Sequence, residues 1–170
     1  MAQPQHGATR VTEEPILLRI SGEVERPLAL RFSDLAALAP EWQVPDIGRL
    51  IPGRKGDAVR LEGLLHLAGA TPAAVYLTLH ASRDDFHASI PLAAVRQQAL
   101  LVYRLDGQPL PETAGGPIRF LIPEPARCHT AEVDECASVK FVDHIDLERH
   151  KGKDNRPADE RAHQALHQRP

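Results

Sequence analysis

Aromatic residues are scarce in this chain of 170 residues: four Phe, two Tyr and one Trp. A surface that stacks single-stranded nucleic acid needs exposed rings, so the composition argues against that partner. Excess positive charge is lacking too. A formal net charge of −3 offers no broad basic footprint for a phosphate backbone. No run approaches the roughly 20 apolar residues of a membrane span. Residues 1–14, which include Pro4, Glu13 and Glu14, lack the apolar stretch of a secretory signal. A cytoplasmic protein without a membrane or nucleic-acid partner is therefore expected. Cysteine is nearly absent. Cys128 and Cys136 are too few for a disulfide framework, which turns attention to ligation or redox chemistry at those thiols. There is no phosphate-binding glycine loop of the P-loop type and no Gly-x-Ser-x-Gly nucleophile elbow.

What is present is an ordinary globular balance, 42% hydrophobic and 25% charged, in a chain long enough for one domain with a sizeable core. Residues 1–14 read as a flexible leader, residues 15–148 as the domain, and residues 149–170 as a polar, histidine-containing tail. From Ile16, ILLRISGEV and PLALRF give two strand-like runs, the second alternating at Leu28, Leu30 and Phe32. Ser33 is placed to cap a short helix with Leu35 and Leu38 on its inner side, ended by Pro40. Residues 43–57 hold Pro45, Gly48, Pro52, Gly53 and Gly56 and read as a long loop, the kind that is functional or mobile in a compact domain. Its basic turn at 53–56, Gly-Arg-Lys-Gly, can be read as an anion contact or as solvated loop.

Further on, a short strand at 58–61 precedes a helix at 62–68 stopped by Gly69. Leu77 and Leu79 alternate with Tyr76, Thr78 and His80 as a strand does. His80 and His87 flank the Asp84-Asp85 turn and read as surface or pocket-edge side chains. Strands at 86–90, 99–105, 118–122 and 138–147 are expected, with a short helix at 92–97 and a tight turn at Asp106-Gly107. Strands outnumber short helices without regular alternation, which points to an α+β domain on mixed sheet.

The loop RCHTAEVDECASVK brings Cys128, His129 and Cys136 within nine residues. Two thiols and an imidazole suit a soft or borderline transition metal. The Cys-x7-Cys spacing is not one of the paired zinc patterns, however. A reversible thiol–disulfide pair and two small packed cysteines are the other readings. In the tail, His163 and His167 would share one face of a helix, and a solvated tail is the plainer reading.

From Ala58 onward the order of signals VRLEGLLHLAG, VYLTLHA, DDFHASIPL, LLVYRLDGQPL, GGPIRFLIP and SVKFVDHIDL resembles the molybdopterin-dependent oxidoreductase domain of sulfite oxidases and their bacterial relatives. The earlier ISGEVERPLAL fits the start of the same domain, so the resemblance covers about residues 16–148. It implies the sulfite oxidase molybdopterin-binding fold and a molybdenum–pyranopterin cofactor. On the resemblance, Arg119 would lie near the cofactor, and Ser138, Val139 and Lys140 would line its pocket. A guanidinium and an ammonium suit a phosphate. Read from the strands alone, Arg119 and Lys140 are outward-facing polar residues. The cysteine that ligates the metal in that family normally lies in the segment here reading QVPDIGRLIPGRKGDAV, which has none. Asp46 and Asp57 are its oxygen donors, and Ala114 stands where the family often has His or Asn.

Two functions follow. One is a molybdenum-dependent oxidoreductase acting on a small-molecule substrate, with Cys128 or Cys136 as replacement thiolate. With no haem or flavin motif, its electrons would pass to or from a separate protein. The other is a non-catalytic binding module on the same scaffold, using the Cys128, His129 and Cys136 loop for another transition metal, a ligand or a partner protein.

Overall fold

The computed structural model describes residues 12–157. Most of the leader and the histidine pair of the tail, His163 and His167, lie outside the described residues. Two mixed or antiparallel sheets share one core. The first contains β1 (Ile16–Gly22), β2 (Leu28–Arg31), β5 (Tyr76–Ala81), β6 (Phe86–Pro91) and β10 (His144–Glu148). Its order is β2-β1-β10-β5-β6, with β1 and β10 parallel and the other pairs antiparallel. The second contains β3 (Gln43–Val44), β4 (Asp57–Arg60), β7 (Leu100–Leu105), β8 (Gln108–Pro109) and β9 (Arg119–Leu121). Here β8 and β9 pair with successive stretches of β7. The expected α+β class on mixed sheet is what the chain adopts.

The register explains the layering. Leu18, Ile20, Leu77, Leu79, Ala88, Ile90, Ile145 and Leu147 share the inner face of the first sheet. They meet Val59, Leu101, Tyr103 and Phe120 of the second sheet and Leu61, Leu64, Leu65 and Ala68 of α2 (Leu61–Ala68). Gly69 ends α2 in the left-handed region, as its position suggested. The second sheet is buried on its other face as well. Ala58, Leu100, Val102 and Leu121 pack there against Val44, Ile47 and Leu110, with Ile51 closing over them. Burial on both faces is why β7 opens on the apolar run Leu100, Leu101, Val102 and Tyr103. The segment 43–57 is thus more ordered than a loop: it opens with β3, adds a 3-10 turn at Ile47–Arg49, and covers this face.

Three expectations change. The first helix, α1 (Phe32–Ala36), is capped by Arg31 rather than Ser33; the Asp34 carboxylate accepts the Arg31 N–H at 2.7 Å. The last strand is shorter than 138–147. Phe141 adopts φ +61°, which breaks an extended run, and residues 138–142 make their backbone bonds elsewhere. Phe120 N–H donates to Val139 O at 2.8 Å and Val142 N–H to Ile118 O at 2.9 Å. The chain joins the first sheet at Asp143, whose N–H donates to His80 O at 3.0 Å, and β10 begins at the next residue. Finally, residues 151–157 do not float as a polar tail. They lie along β6, the edge of the first sheet, where Asn155 Oδ1 accepts from His87 N–H and Asp154 Oδ2 from Ser89 N–H. Side chains here satisfy edge amides that would otherwise invite another strand.

Candidate functional site

Arg119 extends from β9 on the face of the second sheet that the 43–57 segment covers, in register with Val102 and, through it, Ala58. Arg60 lies on the neighbouring row of the same face, across Leu100 from Leu121. The Arg119 Nε is buried and has no hydrogen-bond partner. Burial, and then the nearby charge of Arg54, lower the guanidinium below its ordinary pKa. Both causes describe a cation short of negative charge. Arg54 comes from the 53–56 turn, so the basic turn read as an anion contact or as solvent-facing reaches the Arg119 side.

Gly115 lets Lys140 join them. It has φ +97°, and an added Cβ would stand 3.1 Å from Lys140 Cγ and 3.4 Å from Arg119 Cδ. The stems of both side chains run past a backbone that any larger residue would obstruct. The Phe141 N–H donates to Gly115 O at 2.9 Å and fixes that approach. Lys140 itself is exposed. Ser138 serves the scaffold: its Oγ accepts the Ile122 N–H at 3.2 Å. Val139 is buried in the main core, with its carbonyl holding Phe120.

The loop with the cysteines behaves differently from its sequence. Cys128 ends a 3-10 turn, Pro125–Cys128, and His129 follows it at φ +53° on the exposed side. Cys136 sits in a second such turn, Glu135–Ala137. The two thiols are not joined in a disulfide. Closeness in sequence does not become a ligand set: Cys128, His129 and Cys136 do not form a group with ligand atoms within 4.8 Å of one another. Among the described residues the group that does meet this measure is His80, His144 and Asp146, from β5 and β10. Periodicity placed His80 on the outer face of its strand, but only strand pairing could reveal its partners.

Cys128 does face a cavity. A cleft of about 510 Å³ is lined by Leu50, Arg60, Gln98, Arg127 and Cys128, among others, at the Arg60 end of the covered face. Gln98 Nε2 donates to Cys128 Sγ at 3.2 Å. Burial raises the Cys128 thiol above its ordinary value, and the Gln98 contact offsets this in part. Iodoacetamide labelling of this thiol in the metal-free protein is therefore expected to run slower than that of a free cysteine at neutral pH, and to keep rising with pH where a free cysteine has levelled off. A rate equal to free cysteine in a Cys136→Ser background would contradict the buried thiol. Asp46 and Asp57, the oxygen donors of the covering segment, are engaged structurally. Asp46 caps Gly48 N–H, while Asp57 accepts from Asp46 N–H at 2.9 Å and Arg104 Nε at 2.8 Å.

The second sheet thus has a covered face that carries Arg119 and Arg60, with a cleft at its Arg60 end. The chain belongs to the family described as the oxidoreductase molybdopterin-binding domain, whose model matches residues 57–155. It is thus a molybdopterin-binding oxidoreductase domain by family, as its motifs suggested. Among solved structures it is similar in fold to the sulfane dehydrogenase SoxCD of Paracoccus pantotrophus, with a TM-score of 0.56 and 21% identity. That likeness covers 80% of this chain and 39% of the other, so the chain spans well under half of its neighbour's length. No curated protein is similar to it in sequence. No helix among the described residues is long and apolar enough to cross a membrane.

Proposed function

We propose that this chain holds a molybdenum–pyranopterin cofactor against the covered face of the second sheet, with the cofactor's phosphate on Arg119, Lys140 and Arg54. The observation that carries the reading is the buried Arg119 Nε without a partner. A buried donor left unpaired costs on the order of 1–3 kcal/mol, and more when charged, so its persistence suits a site completed by an anion. A guanidinium offers a planar pair of donors to phosphate and Lys140 a mobile point charge. The residues present therefore fit the phosphate end of the group.

At the other end we assign Cys128 to the metal's ligand set; its position in the lining of the cleft with Arg60 and Arg127 supports this. Burial disfavours its thiolate, and a bound cation would favour it. When bound, the cofactor supplies two-electron redox chemistry; the protein supplies binding, orientation and electrostatics. A small-molecule substrate and a separate electron-transfer protein complete the proposal.

Protein produced in a host that makes the cofactor tests this by two readouts, molybdenum per chain and fluorescence of the released, oxidised pterin. Wild type is expected to carry both in near-equal amounts. Arg119→Met should lose both by about tenfold or more, the cost of one charged hydrogen bond and its ion pairing, while Arg119→Lys keeps part. Arg119→Met with wild-type pterin content and an unchanged melting curve would remove the phosphate assignment. Cys128→Ala should retain pterin and lose molybdenum; unchanged molybdenum would take the thiol out of the ligand set.

A further inference from the structure

The outer face of the first sheet carries a connected set of titratable side chains far from the cation-lined face of the second. Strand register alone assembles it. His144 on β10 stands opposite His80 on β5, which stands opposite His87 on β6, and Asp146 follows two residues after His144 on the same face. Ser21 of β1 lies beside Asp146 in the parallel pair. His80 Nε2 is 3.0 Å from Asp146 Oδ2, and His144 Nε2 is 3.3 Å from Asp146 Oδ1. The His80 and His144 rings lie side by side, with centroids 5.3 Å apart and planes tilted by 39°. The side chains of His80, Asp146 and His144 are 17%, 29% and 34% exposed, open enough to admit an ion and closed enough to hold its ligands.

Hydrogen-bond geometry joins these side chains into one network. His87 Nε2 lies 2.8 Å from Asp85 Oδ1, His80 Nδ1 lies 2.7 Å from His87 Nδ1, and His80 Nε2 lies 3.0 Å from Asp146 Oδ2. One ligand atom each from His80, His144 and Asp146 lies within 4.8 Å of the other two, close enough for a single ion to reach all three. Ser21 adjoins the group: its hydroxyl donates to Asp146 Oδ1 at 2.5 Å and lies 2.7 Å from His144 Nε2.

We propose that His80, His144 and Asp146 bind a divalent transition-metal ion of the zinc type, through two imidazole nitrogens and one carboxylate. Imidazole and carboxylate donors suit such an ion, and three protein ligands leave a position for water or a further ligand. His87 and Asp85 are positioning residues. Ligating histidines are commonly held by a partner on the other ring nitrogen, and here His80 Nδ1 is held by His87, which Asp85 holds in turn. The nearby cations leave room: Lys153 is drawn to Asp85 at 3.2 Å, and Arg19, opposite His144 in register, is exposed. This site is independent of the cofactor face and does not require that reading to hold.

Calorimetric titration of the full chain with zinc chloride, after chelation and buffer exchange, tests it. Wild type should bind one zinc per chain saturably. His80→Gln and Asp146→Asn should each weaken that binding at least tenfold, and His87→Ala, which touches no ion, by about 10–100-fold. Nitrogen-15 spectra of the wild-type histidine side chains provide a readout that needs no variant, with His80 and His144 resonances moving on zinc addition. Cobalt in place of zinc should give no thiolate charge-transfer band. The proposal is overturned by absence of saturable zinc binding, by affinity unchanged in His80→Gln, by His80 and His144 signals indifferent to zinc, or by a thiolate band that locates the ion at the cysteine loop.

Discussion

Arg156→Met is expected to destabilise the domain by about 3–5 kcal/mol, the cost of leaving a buried carboxylate without its partner. The Arg156 side chain is 8% exposed and that of Asp154 13%, so this is an interior ion pair. Its guanidinium meets Asp154 Oδ2 at 2.6 Å and also donates to Glu132 O at 2.7 Å, Asp134 Oδ1 at 3.2 Å and Ser89 O at 3.2 Å. One side chain thus ties the chain after β10 to the edge of the first sheet and to the cysteine loop. Truncation removes all four contacts, and Asp154 can no longer hold Ser89 N–H securely. In a domain of this size the loss corresponds to a melting temperature lower by about 6–20 °C. Arg156→Lys should recover only part, since an ammonium cannot serve several acceptors in one plane. A double replacement, Arg156→Met with Asp154→Leu, should cost less than Arg156→Met alone, because no charge is then stranded. A melt shifted by less than about 2 °C in Arg156→Met would show that the segment is not anchored there.

The same pair fixes the pH dependence. Burial alone would raise the Asp154 carboxyl, but the hydrogen bonds and charge of Arg156 outweigh it and hold the group below its ordinary value of 3.8. A carboxyl depressed in the folded state contributes stability that is complete above its unfolded value and disappears as pH falls through the folded one. The Asp154 contribution is therefore full at neutral pH and declines only below about pH 4. Hydrogen-exchange protection factors at the His87 and Ser89 amides should follow it, high at neutral pH and falling as acid releases the segment.

This anchor also shows where the sequence stops being readable. Much of the fold was plain. Leu77 and Leu79 faced inward as their alternation required, Gly69 ended α2, and the apolar run of β7 lies between two packed layers. The polar stretch after β10 was read as solvated because a charged composition cannot pack a core. Its charges serve a different purpose, satisfying the amides of an edge strand, and composition carries no signal of that. Residues 138–142 looked like strand, but Phe141 breaks the run and their backbone partners are Ile118 and Phe120 of the second sheet. Local pattern cannot choose between two sheets.

The sites divide along the same line. Resemblance pointed to Arg119 and Lys140, and the backbone brings them together around Gly115. Cys128, His129 and Cys136 shared a loop but do not form a ligand group. His80 and His144 are 64 residues apart in sequence and directly opposed in register, a relation visible only once β5 and β10 are paired.

Gln43 presents the corresponding case in the interior, and Gln43→Ala is expected to cost about 2–4 kcal/mol, well beyond an ordinary surface change. Its amide nitrogen donates to Leu35 O at 2.8 Å and Leu38 O at 3.2 Å, satisfying carbonyls at the end of α1, a helix too short to hold itself. Its amide oxygen accepts the Tyr103 hydroxyl at 3.0 Å. Tyr103 is fully buried in the main core, so removing Gln43 strands a hydroxyl without water to replace the partner. Tyr103→Phe alone should cost less, about 0.5–1.5 kcal/mol, because it removes the donor that would be orphaned. In a urea-denaturation cycle the double variant should therefore be more stable than the sum of the single losses implies. Strict additivity would mean that the two side chains are not coupled. Because β3 begins the segment that covers the cation-lined face, Gln43→Ala should also lower pterin retention, linking a hydrogen bond in the core to occupancy of the site.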